Sequence, residues 1–274
     1  MGVPLSTVMP AVVREAWGLG ADDDATPLPG GLERSIRVHD VVYKPVDDVG
    51  EARWGQECLA SLSAEGVRVP APVRSPAGQW VAAGWMASSW VDGAAGPSGR
   101  WDALLEASRR FHAALSGVPR PPVLAQRSHR WARADRAAWH EGPITWLPPA
   151  APLADSFDRI PLPARLPSQI IHGDLSGNVL LHPTLPPAVI DFSPYWRPAP
   201  FADAVLLVDG LLWYEWDDVI PHVPRTPTFL ELLARAALFR LGALNEYART
   251  VDVSGFDELP LYVRLAEWLH ETLG

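Results

Sequence analysis

One stretch of the chain, IIHGDLSGNVLLHPTLPPAVIDFS (170–193), gathers several reactive side chains in a short span. Asn178 precedes three strand-forming residues, Val179–Leu181. His182–Pro187 reads as a turn, Ala188–Ile190 returns, and Asp191 follows. A symmetric hairpin of this kind sets Asn178 beside Asp191 at its open end. An amide oxygen and a carboxylate converging there suit a hard cation such as Mg²⁺, which takes oxygen ligands and leaves its other positions to water and phosphate. Asp174 lies just before Asn178 on a Gly-containing loop and can face the same point, where a substrate hydroxyl would lie. Asp174 and Asp191 also fit as carboxylates that cap turns. His172, Asp174 and His182 could instead begin a histidine-rich metal site, but no further His or Cys cluster completes one.

The second candidate stands far upstream, in VVYKPV (41–46). The chain has 23 Lys and Arg residues, and Lys44 is the only lysine among them. A compact ammonium fits a narrow gap between phosphates, where the planar fork of an arginine does not. Arg127, Arg130, Arg133 and Arg136 recur at near-helical spacing, as a solvated face or an anion site.

The elements that must position these residues follow from periodicity. VMPAVVREAWGL reads as a short opening helix. Ser35–Val38 and Val41–Lys44 flank His39–Asp40 as a hairpin. EARWGQECLASLSAEG has helical spacing at Trp54, Cys58, Leu59 and Leu62 and ends at Gly66. VRVPAPVRS and QWVAAGWMASSWV read as strands, and the Gly-rich VDGAAGPSG marks a boundary. Beyond it, Arg100–Leu115 and RSHRWARADRAAWHE read as helices, and the proline-rich stretch 142–167 as an extended crossing loop. IIHGD, VLL and AVID are short strands, with helices from there to the end. The fold class is α+β: a small β-rich lobe (1–91) and a larger, mainly helical lobe (92–274).

Bulk properties narrow the function. The 274 residues carry a net charge of −9 with 48% hydrophobic residues, enough for a sizeable core. The acidic balance argues against nucleic-acid partners and against an anionic membrane surface. Cys58 is the only cysteine, which suits a reducing cytoplasm, and no apolar run is long enough to span a bilayer. The Ala, Gly, Pro and Arg richness suggests a GC-rich bacterial source.

His172-Gly173-Asp174, the following Asn178 and the Asp191-Phe192 pair together resemble the catalytic segment of the aminoglycoside phosphotransferase and choline kinase family, small-molecule relatives of protein kinases. Lys44, a Gly-containing hairpin before it and a Glu-bearing helix after it match in order. The resemblance implies a bilobal kinase-like fold, ATP and Mg²⁺, and transfer of phosphate to a small-molecule hydroxyl. It implies that Asp174 is the catalytic base or hydroxyl-orienting group, and that Asn178 and Asp191 hold Mg²⁺. Lys44 would bind the nucleotide phosphates, with Glu57 as its partner and Glu51 as a competitor. Gly30, Gly31 and Ser35 would cover the phosphates, and Ser89, Trp90 and Val91 would form the adenine hinge. His172 would support the loop, and Asp203 would brace it. Glu215, Asp217 and Asp218, among the rings of residues 213–218, would suit a cationic acceptor such as an amino sugar; a helix end with solvated acids reads equally well. Two departures stand out. Three residues separate Asp174 from Asn178 where the family has four, and Ser193 replaces the glycine after Asp-Phe. The short loop motivates an alternative, a pseudokinase that binds nucleotide or acts as a scaffold.

Overall fold

The computed structural model describes residues 8–29, 34–163, 166–250 and 256–274. Helix α1 (Ala11–Trp17) precedes strands β1 (Ala25–Pro27), β2 (Ile36–Val38) and β3 (Val41–Pro45). Helix α2 (Val49–Ser61) follows, then β4 (Pro72–Val73), β5 (Val81–Ala82) and β6 (Trp85–Ser89). These strands form one antiparallel sheet in the order β1-β2-β3-β6-β4, with β5 paired to β6. Val13 and Trp17 of α1 bury against Ile36, Val38, Tyr43 and Ala87 as a small separate core. Lys44 therefore sits on a central strand, with Met86 opposite it.

The helical part opens with α3 (Trp101–Leu115), α4 (Val123–Gln126), α5 (Arg130–Ala138) and α6 (Ala151–Asp158). Strands β7 (Ser168–His172), β8 (Val179–Leu180), β9 (Ala188–Val189) and β10 (Pro194–Pro198) come next. Then follow α7 (Ala199–Trp213), α8 (Trp216–Val219), a short 3₁₀ turn, α9 (Pro227–Ala248) and α10 (Leu259–Leu273). Helix α7 is apolar almost all round, and from Phe201 to Leu212 every residue is buried, as such a pattern requires. Thr226 caps α9 by accepting from the Phe229 amide, and Pro227 supplies the preset φ of a first helical residue. Among the described residues no helix is long and apolar enough to cross a membrane.

Four expectations change. Helix α2 ends at Ser61 rather than Gly66, because Leu62 turns to extended geometry. The stretch 142–167 is not all loop, since it contains α6, with Pro152 in its first turn. Helices do not follow Asp191 directly: PYWRP forms β10, which among the described residues pairs only with β7, and a two-stranded ribbon has outer edges where proline breaks no ladder. The β8–β9 hairpin pairs Val179 with Val189, so Asn178 faces Ile190, whose amide donates to the Asn178 carbonyl at 2.9 Å. Asp191 lies one residue beyond the position that a symmetric hairpin gives it.

Candidate active site

The β7–β10 ribbon closes the loop that carries the reactive residues. His172 pairs with Pro194, and the Gly173 amide donates to the Ser193 carbonyl at 2.9 Å. Both ends of the segment 174–192 are thereby clamped together. Gly173 is required here, because a Cβ at this position would lie 2.5 Å from the Tyr195 ring. His172 is fully buried, and its ring joins the two halves. Its Nδ1 accepts from the Asp174 amide at 3.1 Å, which leaves Nε2–H to donate to the Ile190 carbonyl at 3.0 Å. Burial lowers its pKa, keeping the ring neutral, as this pattern needs. His172 thus ties the start of the loop 174–178 to the residue before Asp191.

The short loop closes as a single turn, with the Asn178 amide donating to the Leu175 carbonyl at 3.0 Å. The Asn178 side chain folds back: Nδ2 donates to the Asp174 carbonyl at 2.7 Å and lies 3.4 Å from Asp174 Oδ2. Its Oδ1 accepts no hydrogen bond among the described residues. Asp191 has φ 51°, a left-handed conformation that costs free energy in a non-glycine residue and concentrates at functional sites. Its carboxylate makes an ion pair with Lys44 Nζ across from the sheet. An amide oxygen and a partly exposed carboxylate fit a hard divalent cation that completes its shell with phosphate and water. Among the described residues no group of three or more His, Cys, Asp or Glu side chains could hold a metal alone. His182 instead caps its own turn, accepting from the Thr184 and Leu185 amides.

The partner expected for Lys44 is not where the pattern put it. Glu57 is exposed on α2, and Lys44 pairs with Asp191. Glu51, one helical face away, is bound to Arg127 at 3.2 Å. Arg127 in turn donates to the Pro194 carbonyl, so α2 is tied to the strand after Asp191 rather than to the lysine. Burial raises the Glu51 pKa, against the pull of Arg127. Phe192 fills the space between, stacking edge-on against Phe111 and His172 and tilted against Trp54 of α2.

In the segment 89–91, expected to form the adenine hinge, the Ser89 amide donates to the Ala71 carbonyl and the Trp90 amide to the Asp40 carbonyl, each at 2.8 Å. Both are spent within the sheet. Among the described residues only Val91, of the three, keeps its backbone groups out of such bonds. The Ser35 carbonyl accepts from the Leu28 amide at 2.9 Å, closing the base of the β1–β2 loop. Gly30 and Gly31 lie outside the described residues.

Asp203 acts at one remove. It accepts from Ser108 Oγ at 2.5 Å, Ser108 contacts His112 Nδ1 at 3.2 Å, and His112 Nε2 accepts from the His172 amide at 2.9 Å. The direct brace of the loop is Asp209, which the sequence reading missed: Ser176 Oγ donates to it at 2.9 Å. Arg240, also missed, is bound to Asp209 and reaches Asp174 Oδ1 at 2.9 Å. Both lie on helices whose apolar pattern hides an isolated charge, although a buried Asp and a buried Arg must find each other. Asp218 is a structural residue, since it accepts from the Gly99 amide and Trp101 Nε1. Glu215, just before α8, and Asp217, on α8, are exposed.

The site therefore sets a lone lysine and a strained aspartate against an asparagine and a second aspartate on a clamped loop, beneath a small antiparallel sheet and above a helical body. That arrangement defines a kinase-like phosphotransferase. The chain belongs to the phosphotransferase enzyme family, whose model matches residues 25–250. No curated protein matches it by sequence. Among solved structures it is similar to a thermostable mutant of aminoglycoside phosphotransferase APH(4)-Ia bound to AMP-PNP and hygromycin B, at 13% identity and TM-score 0.57, covering 95% of this chain and 97% of that one. It is also similar to amicoumacin kinase hAmiN, at 15% identity and TM-score 0.59 over 90% and 88% of the two chains. A third likeness is to a putative fructosamine-3-kinase from Thermobifida fusca, at 19% identity and TM-score 0.51 over 98% and 100%.

Proposed function

We propose that the protein is an ATP- and Mg²⁺-dependent kinase that phosphorylates a hydroxyl of a small molecule, with an amino sugar, sugar or amino alcohol as the acceptor class. Residues 1–91 would form the nucleotide lobe and 92–274 the catalytic and acceptor lobe. The observation that carries this reading is the ion pair of Lys44, on the sheet, with Asp191, which follows the strand paired with the residues after Asp174 and Asn178. Lys44 would release Asp191 and neutralise nucleotide phosphate charge. Asn178 Oδ1 and Asp191 fit Mg²⁺, which when bound would offset charge on the transferring phosphoryl group. Asp174 would orient the acceptor hydroxyl and take its proton as the new O–P bond forms. The bond from the γ-phosphorus to the bridging oxygen breaks, and ADP leaves with its electron pair.

The short loop gave reason to consider a pseudokinase. Its closure as one turn, with Asn178 still bonded to Asp174, supports the enzyme instead. The test is acceptor-dependent ADP release across a panel of hydroxylated amines and sugars, in the wild type and in Asp174→Ala. The expected result is turnover in the wild type and its loss in the variant, with Mg²⁺-dependent ATP binding retained in both. Normal turnover by Asp174→Ala would remove its assigned role. ATP binding without phosphate transfer to any acceptor would favour the scaffold.

A further inference from the structure

Arg240 is buried on α9 with 3% of its side chain exposed. Its Nε and Nη2 each lie 2.6 Å from an oxygen of Asp209, whose side chain is fully enclosed. The same Nη2 reaches Asp174 Oδ1 at 2.9 Å. Ser176, from the loop between Asp174 and Asn178, bonds to the same Asp209. The loop's own side-chain hold on the Asp174 carboxylate is weak, Asn178 Nδ2 at 3.4 Å. The short, charge-assisted contact comes from outside the loop.

Burying an ion pair is a poor way to stabilise a fold, because apolar residues of similar volume do as well or better. This pair makes sense as a device for holding geometry. A guanidinium is planar, and once two of its donors are fixed on Asp209 the third direction is fixed as well. The Asp174 carboxylate is half exposed, so without such a partner it would sample several rotamers.

We propose that Arg240 is a positioning residue for phosphate transfer: clamped by Asp209, it holds the Asp174 carboxylate in the orientation that receives the acceptor hydroxyl, while Ser176 ties the loop to the same clamp. This inference rests on the kinase reading above and adds to it a support that no loop residue supplies.

The test uses variants that avoid an uncompensated buried charge. Arg240→Lys keeps a cation against Asp209, but its single ammonium cannot bridge to Asp174. Arg240→Met with Asp209→Leu replaces the pair by apolar volume. Ser176→Ala releases only the loop tie. With an acceptor that the wild type phosphorylates, kcat is expected to fall about 10- to 100-fold in the first two, as small misplacements of reacting groups do. The ATP KM and the calorimetric Mg·ATP affinity should stay within about twofold, and Ser176→Ala should fall between these variants and the wild type. Adding Arg240→Lys to Asp174→Ala should cost nothing further in the residual rate, since the group it positions is gone. Thermal unfolding tracks folding in every variant. A kcat within twofold of wild type in both folded pair variants would overturn the inference. So would an equal loss in the Asp174→Ala background. A wild type that phosphorylates no acceptor would instead overturn the kinase reading itself.

Discussion

The lone lysine is the place where residue type is expected to outrank residue charge. Lys44 lies on β3 with its ammonium turned to Asp191, in a chain whose every other cationic aliphatic side chain is arginine. A guanidinium at this point would keep the charge, but its fork is wider and fixed in a plane. Lys44→Arg is therefore expected to keep the fold and the unliganded ion pair with Asp191. It should raise the ATP KM at least about tenfold, because two phosphates cannot close on a fork as they close on a point charge. Steady-state kinetics with ATP as the varied substrate checks this. An unchanged KM would mean that Lys44 is a surviving surface lysine and that the phosphates are met elsewhere. Lys44, Asp174, Asn178 and Asp191 were all visible in the sequence because each is a polar residue set into a short apolar frame. Asp209 and Arg240 were not, because their partnership spans 31 positions and neither flank announces it. Glu57 was misjudged for a related reason. Spacing along α2 gives the helix but not its rotation, and it is Gln56 and Cys58 that turn inward.

At the scale of elements, the site depends on a relay that runs from α7 through α3 to β7. Asp203 holds Ser108, Ser108 meets His112, and His112 accepts from the His172 amide. His112 is buried, and desolvation drops its pKa to about 3, with the nearby His172 pulling the same way. Its free-chain value is about 6.5. Above that value both native and unfolded chains carry a neutral ring, and the contribution to stability is complete. As the pH falls from 6.5 towards 3, the unfolded chain takes up a proton that the native ring refuses, and stability is lost. Wild type should therefore lose about 1.4 kcal/mol per pH unit across that window relative to His112→Gln, which keeps an acceptor for the His172 amide but does not titrate. Urea unfolding of both proteins at several pH values between 4 and 7 reads this difference. Parallel curves would show that His112 is solvated and that the relay is not closed. Helix α3 was legible from its 3.6-residue pattern, and α7 only as a long apolar run. The strand that completes the ribbon was not, because PYWRP carries prolines at both ends and its pairing partner lies more than twenty residues earlier.

Across the whole molecule, the β8–β9 hairpin is stitched to the segments before β4 and after β6. Arg68, just before β4, pairs its backbone with Pro187 and Val189 and sends its guanidinium to the Pro186 and Asp92 carbonyls. Ala94, beyond β6, bridges to Leu181, and Gly93 lies so close that a Cβ would sit 2.8 Å from Leu180. The hairpin that presents Asn178 and Asp191 is thus part of the joint between the sheet and the helical body. Glu51–Arg127 and Trp54–Phe192 add further ties. A ligand held by Lys44 on one side and by Asn178 and Asp191 on the other must bind the joined form and not the unfolded chain. At about 100 times its Kd such a ligand adds about 2.7 kcal/mol to stability. For a chain of this length that is a rise of several degrees in Tm. Mg·ATP should produce this shift, and ATP with the metal chelated should produce a clearly smaller one, because about four phosphate charges would then face Asp191 with only the single charge of Lys44 to offset them. Thermal unfolding monitored with ATP, with Mg²⁺ alone and with both separates the cases. Equal shifts with and without Mg²⁺ would mean that the nucleotide is held by Lys44 and the hinge alone, and that Asn178 and Asp191 do not form a metal site.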